Sequence, residues 1–137
     1  MERIGGVLID THVLAWSLVD PDRIAPVARG QMERSAAVFV PPCALQEIAL
    51  KVRKGAWDAM APFVDQLDAL CGAQGLQPAP FTWRMGLQAG LMDWGHRDPF
   101  DRMIAATAVE MALALISKDT AFDSLPRIEG WMGRIWD

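Results

Sequence analysis

The sequence predicts an α/β fold built on a parallel sheet covered on both faces. Three observations carry that reading. Short, largely apolar runs recur at residues 5–10, 36–40 and 113–117, and runs of that length bounded by turn residues read as buried strands. Between them lie longer segments with apolar residues at helical spacing, and strands alternating with helices favour a parallel sheet between helical layers. The chain has 137 residues, 52% of them apolar and 22% charged. That balance excludes general disorder and suits a single domain over residues 1–137 with a real core. With 13 basic residues against 17 acidic ones the net charge is −4, which argues against a basic polyanion-binding module. No apolar run approaches the roughly 20 residues of a membrane span. Met1-Glu2-Arg3-Ile4 lacks the apolar stretch of a signal peptide. Cys43 and Cys71 are too few for a disulfide framework and read as reduced thiols of a cytoplasmic protein.

The elements follow in order. Gly5 to Asp10 is a short buried strand ending in an acid. His12 to Leu18 reads as a short helix, broken by Asp20-Pro21-Asp22. Ala25 to Arg34 is a second helix with Pro26 in its first turn. Ala36 to Val40 is a strand stopped by Pro41-Pro42. From Cys43 to Lys54, Leu45, Ile48, Ala49 and Val52 share one helical face, and Gly55 stops the helix. Asp58 to Gln74 reads as one helix with Phe63, Leu67 and Leu70 on one side. Leu76 to Phe81 is a proline-interrupted edge segment, and Thr82 caps a helix to Met92. Asp98-Pro99 opens a strong helix to Met111. Leu113 to Ser117 is a third core strand, and Trp131 and Trp136 in the tail pack on the domain.

Five acids fall where this topology gathers them. Asp10 ends the first strand, and Glu47 lies early in the helix after the second. Asp98 and Asp101 open the helix before the third core strand, and Asp119 follows that strand. Strand ends and helix starts share one edge of a right-handed parallel sheet, where ligands bind. Crowded carboxylates repel each other and raise each other's pKa, so a cation between them is expected. An oxygen-rich set suits Mg²⁺ or Mn²⁺, and such ions support hydrolysis of phosphodiesters. Each acid also has an ordinary reading. Asp98 suits an N-cap with Asp101 facing the helix dipole. Glu47 suits a solvated pair with Lys51, and Asp10 and Asp119 suit turn positions. His12 and His96 read as structural, Cys43 and Cys71 as packing residues, and Trp83, Trp94, Trp131 and Trp136 as core or interface residues.

Four blocks then resemble one family. Leu8-Ile9-Asp10-Thr11-His12-Val13-Leu14-Ala15-Trp16 is similar to the opening of PIN-domain ribonucleases, in particular the VapC-type toxins of prokaryotic toxin–antitoxin pairs. The stretches 47–55, 96–106 and 115–122 resemble the family's later blocks in order, with His96-Arg97-Asp98-Pro99-Phe100-Asp101 the most specific. The resemblance implies a PIN-like three-layer α/β/α sandwich with about five parallel strands. It implies a Mg²⁺- or Mn²⁺-dependent endoribonuclease, a homodimer acting on RNA in the cytoplasm and held inactive by a cognate antitoxin. By position, Asp10, Glu47, Asp101 and Asp119 are the implied catalytic acids. Asp10 and Asp101 are the main metal ligands, Glu47 and Asp98 direct or water-mediated ones, and Asp119 a support. Two positions depart from the family: Pro41-Pro42-Cys43-Ala44 lacks its hydroxyl, and Gln46 replaces the tryptophan before the glutamate. Arg53, Lys54, Arg97, Arg102 and Lys118 are expected to flank the rim and meet phosphates.

Two other classes compete. A catalytically silent PIN-like module that only binds a protein partner would lose an acid, and all four positions are kept. An aspartyl-nucleophile phosphatase wants an acid two residues after Asp10, where His12 stands.

Overall fold

The structure, a computed structural model, describes residues 5–137; the expectation for Met1 to Ile4 lies outside them. Five parallel strands form one sheet in the order β3-β2-β1-β4-β5. In chain order, β1 is Val7–Ile9, α1 Thr11–Val19, α2 Pro26–Arg34, β2 Val38–Val40 and α3 Pro42–Arg53. Then come α4 Leu67–Ala73, β3 Gln77–Pro78, α5 Trp83–Leu91, α6 Pro99–Met111, β4 Ala114–Ile116 and β5 Arg134–Ile135. β1 pairs in parallel with β2 on one side and with β4 on the other.

Alternation along the strands sorts the core into two halves. Leu8 and Leu115 point into one, with Met85 and Ala89 of α5 and Ile104, Ala105 and Ala108 of α6. Val7, Ile9 and Ile116 point into the other, with Val13 and Leu14 of α1, Ala28 of α2 and Ile48 of α3. These are the two faces of the expected α/β/α sandwich. Among the described residues no helix is long and apolar enough to cross a membrane.

Two expectations need correction. Asp58 to Gln74 is not one helix. It runs as short 3-10 turns at Asp58–Met60 and Val64–Gln66 before α4 begins at Leu67. Pro62 explains the break, since it lacks an N–H and its ring clashes with a preceding helical turn. Phe63 is therefore 36% exposed while Leu67 is buried. Second, Trp83 is not packed in the core. It is 95% exposed, on the same face of α5 as Leu87 and Leu91. The tail adds more than packing: Arg134–Ile135 completes the sheet as β5, and Asp123 holds Arg134 through two bonds of 2.9 and 3.0 Å.

Candidate functional site

Three acids at the site are helix caps. Asp10 follows β1, and its Oδ1 accepts the Val13 N–H at 3.0 Å, starting α1. Asp98 precedes α6, and its Oδ1 accepts the N–H groups of Phe100 and Asp101 at 2.9 and 3.4 Å. Asp119 follows β4, and its Oδ1 accepts the Ala121 N–H at 2.9 Å, starting a 3-10 turn over Thr120–Ser124. Each cap satisfies a backbone donor that the helix start leaves open. Because β1 and β4 are parallel neighbours, Asp10 and Asp119 stand on the same edge of the sheet.

Asp10 is buried, and its Oδ2 accepts the Ser117 hydroxyl at 2.5 Å. Burial pushes its carboxyl from the ordinary 3.8 up to about 6. The Ser117 and Val13 bonds pull it down, and the charges of Asp101 and Asp119 push it up. Asp101 sits half-buried in the first turn of α6. Its Oδ2 lies 2.6 Å from His96 Nε2. Burial lifts its carboxyl to about 6 as well, against the His96 bond, with Asp98 adding repulsion.

His96, Asp98 and Asp101 each offer a ligand atom, all within 4.8 Å of one another. The loop thus brings together two of the expected acids and a histidine read from sequence as structural. Asp10 and Asp119 stand beyond that trio but close enough to repel Asp101.

Glu47 corrects another expectation. The pair with Lys51 forms, Nζ to Oε2 at 2.9 Å, yet Glu47 is 5% exposed rather than solvated. Its Oε1 accepts the Thr11 hydroxyl at 2.6 Å. Two partners, the buried Thr11 and the partly exposed Lys51, therefore hold it, as a buried carboxylate requires. The Cys43 thiol beside it is raised to about 12 by burial first, then by the charges of Glu47 and Asp101. A thiol that reluctant to ionise is a packing group, as expected.

Arg102 does not face the rim. Its guanidinium donates to five backbone carbonyls: Ala89 and Trp94 at 2.7 Å, Met92 at 2.6 Å, His96 at 2.9 Å and Gly90 at 3.4 Å. All five donors of the fork are used, so none remains for a phosphate. Arg102 instead ties the end of α5 to the loop that presents His96 and Asp98. Arg53, Lys54, Arg97 and Lys118 remain exposed.

Sequence reasoning missed three parts of this arrangement. Thr11 and Ser117 supply the hydroxyls that bond Glu47 and Asp10, a task the Pro41-Pro42 segment does not perform. Their signal was present: each is a polar residue at the end of a buried strand, next to an acid or one removed from it. The Arg102 fork had no local signal, because all its partners are backbone atoms.

A cleft of about 480 Å³ opens beside this edge, lined by Asp10, His12, Trp16, Lys118, Asp119 and Thr120. A separate, mainly apolar cavity of about 260 Å³, with Leu45, Cys71 and Leu76 in its wall, includes none of the five acids.

A parallel α/β/α sandwich with carboxylates at the carboxyl edge of β1 and β4 defines the class. The PIN domain family pattern matches residues 7–128. The chain belongs to the PIN domain family. Among individual relatives, it is 27% identical over 116 residues to ribonuclease VapC22 of Mycobacterium tuberculosis, covering 82% of this chain and 86% of that one. Its fold is similar to a chain of VapBC2 from Rickettsia felis bound to a promoter DNA fragment, with a TM-score of 0.67, 13% identity, and coverage of 96% and 99%. It is similar also to VapBC-5 of M. tuberculosis, a toxin–antitoxin system, with a TM-score of 0.62, 20% identity, and coverage of 95% and 98%.

Proposed function

We propose that the chain is a metal-dependent endoribonuclease and the toxin of a type II toxin–antitoxin pair. One observation carries the reading: Asp101, grouped with Asp98 and His96, lies within electrostatic reach of Asp10 and Asp119 at one edge of the sheet, and the Asp10 and Asp101 carboxyls are pushed up to about 6. Such crowding is costly without a cation. The donors are carboxylate oxygens with one imidazole nitrogen beside them, a set suited to Mg²⁺ or Mn²⁺. In this reading Asp10 and Asp101 are the main ligands, Glu47 and Asp98 direct or water-mediated ones, and Asp119 a support. Bound there, the ion would clamp a phosphodiester and activate water for in-line attack. The chain's own task is positioning. Ser117 fixes Asp10, Thr11 and Lys51 fix Glu47, and Arg102 fixes the loop carrying His96 and Asp98.

The kinship with ribonuclease VapC22 supports RNA as substrate. The VapBC complexes among the structural relatives support a cognate antitoxin as partner, with the prokaryotic cytoplasm as the place of action. The exposed Trp83, Leu87 and Leu91 on α5 give a homodimer an apolar surface. The test is incubation of the purified chain with total RNA and Mn²⁺ or Mg²⁺, with and without EDTA. Cleavage that appears with either ion and stops in EDTA is expected. Cleavage persisting in EDTA overturns the metal role, and no cleavage of any RNA moves the chain to a silent protein-binding module.

A further inference from the structure

The four aspartates stand in two halves. Asp10 and Asp119 follow β1 and β4, and Ser117 joins them: its hydroxyl donates to Asp10 Oδ2 and accepts the Asp119 N–H at 3.0 Å. His96, Asp98 and Asp101 lie in the loop before α6 and in its first turn. The shortest covalent path between the halves runs along α6 and into β4 through Ala112 and Leu113, at the opposite edge of the sheet. A helix of 13 residues puts that joint about 20 Å from the acids. At the acid edge the halves are free ends, and like charges push them apart, Asp10 and Asp119 each against Asp101.

Trp94 spans that gap. It sits in the loop, and of the six tryptophans it alone is buried. Its indole N–H donates to Ser124 Oγ at 2.9 Å, and Ser124 ends the 3-10 turn that Asp119 caps. Among the described residues this is the only hydrogen bond between residues 92–101 and residues 117–124. One neighbour of the ring is His96 at 4.8 Å, the group that grips Asp101. Another is Phe122 at 5.7 Å, fully buried within the facing turn. The Arg102 fork makes no such link, since its acceptors all lie between Ala89 and His96. A buried indole N–H needs some acceptor. Taking it from the turn of the other half makes Trp94 a tie as well as a filler.

We infer that Trp94 is a positioning residue of the ion site. With Ser124 it holds the loop of His96, Asp98 and Asp101 against the turn of Asp119, so that the carboxylates face one ion before it arrives. The repulsion between the halves is then overcome in folding rather than at ion binding, the advantage of any preorganised site. The inference rests on the metal-dependent reading and extends it to a residue that touches no ion.

The experiment is titration of the purified chain with Mn²⁺, the free ion read by its solution EPR signal, beside thermal melting in EDTA. Ser124→Ala, at an exposed position, is expected to bind Mn²⁺ about fivefold more weakly, the worth of one neutral hydrogen bond. Ser124→Thr keeps the hydroxyl and is expected to bind like wild type. Trp94→Phe keeps a ring, drops the N–H and is expected to lose at least as much affinity as Ser124→Ala. The double variant is expected to bind no more weakly than Trp94→Phe alone, because both changes remove the same bond. Folded Ser124→Ala and Trp94→Phe proteins that bind Mn²⁺ like wild type overturn the positioning role even if they melt lower, since a residue that only fills the core lowers stability alone. Losses that multiply in the double variant overturn it too. If Trp94→Phe does not fold, the two Ser124 variants decide the matter by themselves. RNA cleavage by the same preparations separates the readings. If wild type binds Mn²⁺ and cuts while the variants keep their affinity, the tie alone falls. If wild type binds Mn²⁺ without cutting any RNA while the variants bind weakly, the nuclease reading falls and the tie stands. A wild type that binds no Mn²⁺ overturns both.

Discussion

Asp10→Asn in the metal-free protein should raise stability at neutral pH, although it alters a buried, doubly bonded residue. The Asp10 carboxyl is lifted from 3.8 to about 6. At about 1.4 kcal/mol per pH unit, ionising it in the folded protein costs about 3 kcal/mol. The sign follows from linkage. A carboxyl raised on folding binds its proton more tightly in the native state, so stability falls as pH rises from about 4 to about 6 and then levels. Asparagine removes that cost and keeps the cap on Val13, since Asn and Asp cap equally well. The bonds from Ser117 and Val13 to the charged oxygens already lower the carboxyl to that value, so nothing further is subtracted for them. The net gain is about 3 kcal/mol at pH 7.5, or about 9–15 °C in melting temperature for a chain of this size. Near pH 4 the difference should fall within about 1 kcal/mol. Excess Mn²⁺ should reverse the order: at 1,000 times its Kd, the ion adds about 4.1 kcal/mol to the wild type and little to the variant. Thermal melts of both proteins in EDTA and in Mn²⁺, at the two pH values, read all of this. An Asp10→Asn protein that melts well below wild type in EDTA while keeping its Mn²⁺ shift would refute the argument and leave Asp10 a structural cap.

Further outcomes follow from the other residues. Asp101→Asn should remove both RNA cleavage and the growth arrest expected on expression without a partner; unchanged arrest at normal expression would make Asp101 a helix-start residue only. Arg102→Lys should lower the unfolding free energy by about 3 kcal/mol or more in urea titration, because an ammonium has three donors and no planar fork to replace five bonds; a loss under 1 kcal/mol would mean that the loop holds itself. Thr11→Val should cost about 1–3 kcal/mol by leaving the buried Glu47 Oε1 without its donor, and should weaken the Mn²⁺ shift in melting. If the shift is unchanged, Glu47 stands outside the ion's reach.

The sheet was legible because buried parallel strands are apolar on both faces, as Val7 to Ile9 and Ala114 to Ile116 are. The acids were legible because each sits at a strand end or helix start, positions that topology gathers on one edge. Legibility failed where a long-range contact overrides local pattern. Glu47 lies away from the apolar stripe of α3, yet α1 covers it and Thr11 bonds it. Arg102 looked like a rim cation until its five carbonyl partners were in place. The 58–74 segment has helical spacing on both sides of Pro62, and periodicity alone does not weigh the proline. β5 is two residues long, too short for any period, and is fixed by pairing with β4.

The ordinary and the functional readings of the acids are one arrangement seen twice. Asp10, Asp98 and Asp119 are all caps. Each uses Oδ1 for its backbone donor, and among the described residues Oδ2 of Asp98 and of Asp119 accepts no hydrogen bond. A cap therefore fixes the carboxylate while leaving an oxygen for something else. The same helix starts point their positive ends at this edge, which favours carboxylates now and a phosphate later. Of the four aspartates, Asp101 alone lacks a capping task, and it is the one gripped by a histidine. This predicts a division among neutral variants. Changing a cap should show its local cost and its ion effect separately, at different pH. Asp101, with no cap to lose, should show the relief of a carboxyl held up to about 6, offset by the loss of its His96 bond, together with the loss of the ion effect.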